Sequence, residues 1–163
     1  MRPQILLDHI ITPTLRHLAI ARPKADSKAA RQFMVAVAAQ ESNCGEYFKQ
    51  LGNGPAEGVW QIEPVTQDDL YTNYLNGRSD LLELVTALLP QAVITNPAIS
   101  CPMYCCAMAR LVVYRQPMAM PGFDDRDGMW EMYKKYFNSY LGKATKEEWD
   151  YNWEEYVVGL IFN

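Results

Sequence analysis

The sequence predicts a mainly α fold in a single domain spanning residues 1–163. Three observations carry this. Apolar residues recur at helical spacing through most of the chain, start signals and breakers punctuate those runs, and four of the nine glycines are confined to residues 45–58. At 163 residues the chain is long enough to bury one substantial core. A composition of 49% hydrophobic and 21% charged residues is that of an ordinary globular chain. No repeat, low-complexity tract or domain boundary interrupts it.

The first helix is predicted over Gln4 to Ile20, bent near Pro13, whose ring removes a backbone donor. His9 and His17 lie on it and read as surface or packing groups. Pro23 with Asp26 or Ser27 then starts a second helix, an Ala-rich run from Ser27 to Glu41 without a breaker. The interval Asn43 to Pro64 holds Gly45, Gly52, Gly54, Pro55 and Gly58, and is expected to be loop with at most a short hairpin. A third helix follows over Val65 to Leu75, closed by Asn76-Gly77. The fourth starts at Ser79 or Asp80, with Glu83 set for a capping box, and stops at Pro90.

Asn96-Pro97 or Ser100-Cys101-Pro102 leads the fifth helix, in which Tyr104, Met108, Leu111 and Val112 share a face. A link over Gln116 to Asp127 precedes a sixth helix from Gly128 to about Tyr140. Thr145-Lys146-Glu147-Glu148 forms a capping box for the last helix. Its stripe of Trp149, Trp153, Tyr156, Val157, Leu160 and Ile161 is expected in the core.

Charge narrows the function classes. A net charge of −4 with no basic stretch excludes a nucleic-acid binder, because nothing is present to neutralise phosphates. No run approaches the length of a membrane span, and Ile5-Leu6-Leu7 is cut at once by Asp8 and His9, so neither membrane insertion nor a secretory signal is expected. Of the four cysteines, Cys101 and Cys105 lie one helical turn apart, but there is no Cys-x-x-Cys, and both histidines are distant in sequence. Small buried hydrophobes are preferred to a zinc site, and no metal or cofactor is expected.

The chemistry concentrates between residues 35 and 64. Phe33, Met34 and Val37 precede Glu41 by eight, seven and four residues, which sets Glu41 at the end of the same apolar stripe. Partial desolvation and the negative end of the helix dipole both favour the neutral carboxylic acid, the form a general acid needs near neutral pH. Most such glutamates are nonetheless solvated surface groups, and Glu41 alone would not decide the matter.

Glu41-Ser42 followed by Gly58-Val59-Trp60-Gln61-Ile62-Glu63-Pro64 resembles the lysozyme-like superfamily. The likeness is to soluble lytic transglycosylases, with their Glu-Ser and Gly-Leu-Met-Gln-aliphatic-x-Pro motifs, and to goose-type lysozymes, where a carboxylate follows the Gln and aliphatic pair as Glu63 does. The likeness spans about residues 26 to 142. It departs from the family at Trp60, where Met is usual, at Glu63, where transglycosylases often carry an apolar residue, and in a degraded third motif over Lys135 to Gly142.

The resemblance implies a lysozyme-like α+β fold, a helical bundle with a small hairpin or loop region flanking a cleft. It also implies cleavage of the β-1,4 bond between N-acetylmuramic acid and N-acetylglucosamine in peptidoglycan, with Glu41 as general acid. Glu63 is the preferred second carboxylate and Glu57 the next, while Asp68 and Asp69 simply complement the dipole of the helix they open. Gln61 and Ser42 would hold substrate or local backbone, and Trp60 suits a sugar face and a core equally. Tyr136 and Asn138 are the remnant of the third motif, whose Tyr touches the acid, with Tyr133 and Tyr140 as alternatives.

Hydrolysis is the favoured outcome because of Glu63, with lytic transglycosylation to 1,6-anhydromuramyl ends as the alternative. A third is a non-catalytic virion component on the same fold. With no signal expected, the resemblance implies a bacteriophage protein made in the host cytoplasm. It would act as a monomer on glycan strands of the cell wall, carried with virion proteins or released by a separate holin.

Overall fold

The computed structural model describes residues 1–90, 97, 101–138 and 142–163. Seven helices and no strand are found among them, so the fold is mainly α. Helix α1 covers 3–19, as Pro3–Leu6, a π turn at Leu7–Ile11, and Thr12–Ala19. The bend expected near Pro13 takes the form of that π turn. Pro13 can donate no backbone bond, and the wider turn just before it, closed by Thr12 N–H onto the Leu7 carbonyl, carries the chain past the ring.

Helix α2 is Lys28–Ser42, and Ser27 caps it by accepting the Ala30 N–H at 3.0 Å. Helix α3 covers 64–75, as Pro64–Asp69 and a π turn at Leu70–Leu75. Helix α4 is Ser79–Ala87. The expected Asp80–Glu83 box does not form there, because Arg78 takes the cap position and Asp80 falls inside the first turn, where its carboxylate pairs with Arg22 at 2.7 and 3.2 Å. Helix α5 is Pro102–Tyr114, with Pro102 at its first position. Asn96 and Ser100, the other proposed leaders, lie outside the described residues.

Helix α6 covers 126–138, as Arg126–Tyr133 and a π turn at Lys134–Asn138, and Asp125 caps it through Gly128 N–H at 2.9 Å. Helix α7, Lys146–Tyr156, carries the expected box. Glu148 N–H reaches the Thr145 hydroxyl at 3.2 Å, and Thr145 N–H reaches the Glu148 carboxylate at 3.1 Å. It ends before the predicted stripe does: Trp149, Trp153 and Val157 are buried, whereas Ile161 is exposed.

Helices α2 and α5 are buried on nearly every face. Helices α1, α3 and α4 pack around α5, and α7 lies along α2 with α6 beside it. Such an interior helix tolerates polar groups only when they are paired. Arg31 is paired with Asp26 at 2.6 and 2.7 Å, and the Gln32 amide exchanges bonds with Asp124 at 2.6 and 2.7 Å.

All four cysteines are buried and free, and burial pushes the Cys44 and Cys105 thiols up to about 12, as suits packing groups. Among the described residues no cluster of three or more His, Cys, Asp or Glu is set to hold a metal ion. No described helix is long and apolar enough to cross a membrane.

The interval 43–63 is irregular. The expected hairpin is reduced to two isolated antiparallel bridges, Lys49 with Glu57 and Glu57 with Ile62. Left-handed residues at Gly45, Gly52, Asn53, Gly58 and Gln61 keep the chain turning before a ladder can extend.

Candidate active site

Glu41 is the penultimate residue of α2. The helix stops beyond it because Asn43, Cys44 and Gly45 all take left-handed backbone (φ 49°, 57° and 80°), and the Asn43 and Cys44 amides turn back onto Ala39 and Ala38. Ser42 secures that end. Its buried hydroxyl donates to the Val59 carbonyl at 2.6 Å and accepts from Gly45 N–H at 2.8 Å, which binds the 58–62 loop to the helix terminus. Of the two roles expected of Ser42, holding substrate or local backbone, these bonds supply the second, and the buried hydroxyl does not border the groove.

Gln61 follows in that loop with φ 47°, a conformation costly for a residue with a side chain. Its Nε2 donates to the Gly58 carbonyl at 2.7 Å, while its buried Oε1 has no hydrogen-bond partner. The amide thus spends its donor on holding the turn in this strained conformation.

Glu41, Gln61 and Glu63 border one groove of about 1100 Å³, as does Asn138. Its walls come from the end of α2, the 43–63 loop, α6, residues 142–144 and α7. Glu63 is exposed and opens α3. Glu57 is half-buried in the turn and does not border the groove. Asn138 accepts a bond from Lys134 Nζ at 2.8 Å. The same ammonium donates to the Gly142 and Ala144 carbonyls at 2.7 and 3.1 Å, fixing that wall.

Two expected site residues sit elsewhere. Trp60 has no exposed surface, and its indole N–H donates to the Met34 carbonyl of α2 at 2.9 Å, so it is core and not a sugar platform. Tyr136 is half-buried against the core beneath the Lys135 ammonium, and it does not border the groove. Tyr133 takes the position assigned to it: its hydroxyl donates to Glu41 Oε1 at 2.7 Å. The ring is held by Trp149 at 5.1 Å and Phe137 at 6.0 Å, both stacked. Trp130, Tyr133 and Phe137 are spaced i, i+3, i+7, a sequence signal that centres the stripe on Tyr133. Tyr140 lies outside the described residues.

Burial pushes the Glu41 carboxyl up to about 7, against the opposing pull of the Tyr133 hydrogen bond. Burial, and then the neighbouring Glu41 charge, pushes the Tyr133 phenol upwards, so it stays a donor. An acid poised near neutrality can give a proton and take one back.

This poise has a measurable stability consequence. An unfolded Glu ionises near pH 4.5, while the folded one holds its proton to about 7, so the native state binds more protons in between. Wild-type stability should therefore fall, relative to Glu41→Gln, as pH rises from about 4.5 to 7. The change should be at most about 3 kcal/mol, complete above that window and absent below it. Urea denaturation of both proteins from pH 4 to 8 measures this, and a constant difference would mean a solvated carboxylate.

No protein-family model, curated protein or solved structure matches the chain.

Proposed function

We propose that the protein is a peptidoglycan glycosidase of lysozyme-like organisation, cleaving the β-1,4 bond between N-acetylmuramic acid and N-acetylglucosamine. The observation that carries this reading is the Glu41 carboxyl, poised near pH 7 and oriented by Tyr133 in a polar groove of about 1100 Å³. Such a group protonates the leaving glycosidic oxygen as the bond to the sugar carbon breaks, leaving an oxocarbenium-like sugar.

In hydrolysis, water then adds to that carbon and gives up a proton. Glu63, exposed on the same groove as are Glu147 and Glu148, is the carboxylate that the Gln-aliphatic-Glu motif assigns to receive it. One observation favours the transglycosylase reading beside it: burial pushes Glu41 up to about 7, so one and the same carboxyl can give a proton and take one back. Once emptied, Glu41 can take the proton of the muramyl 6-hydroxyl, which closes the anhydro ring without water.

Mass analysis of digested sacculi tests both readings, because reducing and anhydro ends differ by one water. If Glu63 activates water, Glu63→Gln should lower hydrolysis by roughly a hundredfold. Persistence of anhydro products at near-normal rate in that variant would assign the transglycosylase reaction, and no cleavage by the wild type between pH 5 and 8 would overturn the glycosidase reading.

A further inference from the structure

Helix α7 is divided lengthwise. Trp149 and Trp153 enter the core at 1% and 6% exposure, while Tyr151, between them in sequence, is 68% exposed. Tyr151 borders the groove together with Glu147, Glu148 and Asn152, positions i−4, i−3 and i+1 that share one helical face. A bulky aromatic ring left largely in water on a helix already rich in buried aromatics contributes little to the core.

The face is held in register with the acid. Asn152 Nδ2 donates to Gln40 Oε1 at 3.0 Å, so the neighbour of Tyr151 is bonded to the neighbour of Glu41. From the 43–63 loop, Leu51 adds a second exposed apolar group, 72% open, to the same groove. An exposed ring flanked by carboxylates and an amide matches a pyranose, which offers an apolar C–H face and a rim of hydroxyl donors.

We infer that Tyr151 is a stacking platform for a sugar ring of the glycan strand, forming with Glu147 a subsite beside the one at Glu41. The inference rests on the glycosidase reading. It makes Tyr151 a binding residue whose ring face, and not its hydroxyl, is the recognition element.

The test uses the full chain carrying Glu41→Gln, which binds without turnover, and a tetrasaccharide of alternating N-acetylglucosamine and N-acetylmuramic acid, titrated by calorimetry. Adding Tyr151→Ala should weaken binding about tenfold, while Tyr151→Phe should stay within twofold of the parent. The thermal midpoint should not move, because the ring is mostly exposed. In the active protein, Tyr151→Ala should raise KM about tenfold with kcat within twofold. Equal binding by the Ala variant, in a protein whose wild type cleaves sacculi, overturns the platform and leaves the function standing. A parent that binds no tetrasaccharide, with a wild type that cleaves nothing, overturns the glycosidase reading and this inference with it.

Discussion

Glu41→Gln is expected to lower glycan cleavage by roughly a thousandfold or more while leaving the fold intact. The substitution keeps the shape of the side chain and an Oε1 that can still accept the Tyr133 hydroxyl, now at 2.7 Å. It removes only the transferable proton. Because the wild-type carboxyl is half-buried and neutral over much of the range below pH 7, the amide should also fold at least as stably there. Clearing of permeabilised cells, with product analysis, reads the activity, and retention of more than a tenth of it would remove Glu41 from the acid role. A loss of activity accompanied by lost helical signal would instead mean that the carboxyl is needed for folding.

The placement of Glu41 at the end of α2 was legible because two local rules agree. Ser27 as a cap and an unbroken Ala-rich run define α2, and the apolar spacing of Phe33, Met34 and Val37 carries the stripe to Glu41. The box at Thr145 was legible for the same reason, since four adjacent residues contain the whole motif. At Asp80 a similar pattern misled, because the helix starts a residue earlier, at Ser79, and Asp80 instead pairs with Arg22, 58 residues away in sequence.

The partner of the acid was harder to find. In α6 a π turn begins directly after Tyr133, at Lys134. A wider turn advances each residue by less than an α-helix does, so the face occupied by downstream tyrosines cannot be extrapolated from motif spacing. The stripe of Trp130, Tyr133 and Phe137 lies mostly ahead of that irregularity. It would therefore have been a better guide than the family motif, which pointed first to Tyr136 and kept Tyr133 as an alternative.

Ser42 and Trp60 follow one principle: motif position does not say which way a side chain points. Ser42 lies next to Glu41 in sequence, yet one residue along a helix is a turn of about 100° and directs it inwards. The strained backbone at Gln61 was likewise invisible, since a left-handed residue that is not Gly leaves no compositional mark.

Trp60→Ala is expected to destabilise the protein by about 3–5 kcal/mol at pH 7, the cost of emptying a fully buried aromatic site. Trp60→Phe should cost less, about 1–2 kcal/mol, because most of the apolar contact survives and chiefly the bond to the Met34 carbonyl is lost. The indole fastens the 58–62 loop to the middle of α2, much as Ser42 fastens it to the end. Loosening it should therefore also free Gln61, so that activity falls in proportion to stability across the Phe and Ala variants. Urea denaturation with unchanged m, read beside KM and kcat, separates this from a binding role. A platform would show the opposite pattern, with KM rising in Trp60→Ala at a stability loss below about 1 kcal/mol, and that result would return the indole to the groove. The core reading is favoured because an indole with no exposed surface, donating to a carbonyl of an interior helix, has neither face nor donor left for a ligand.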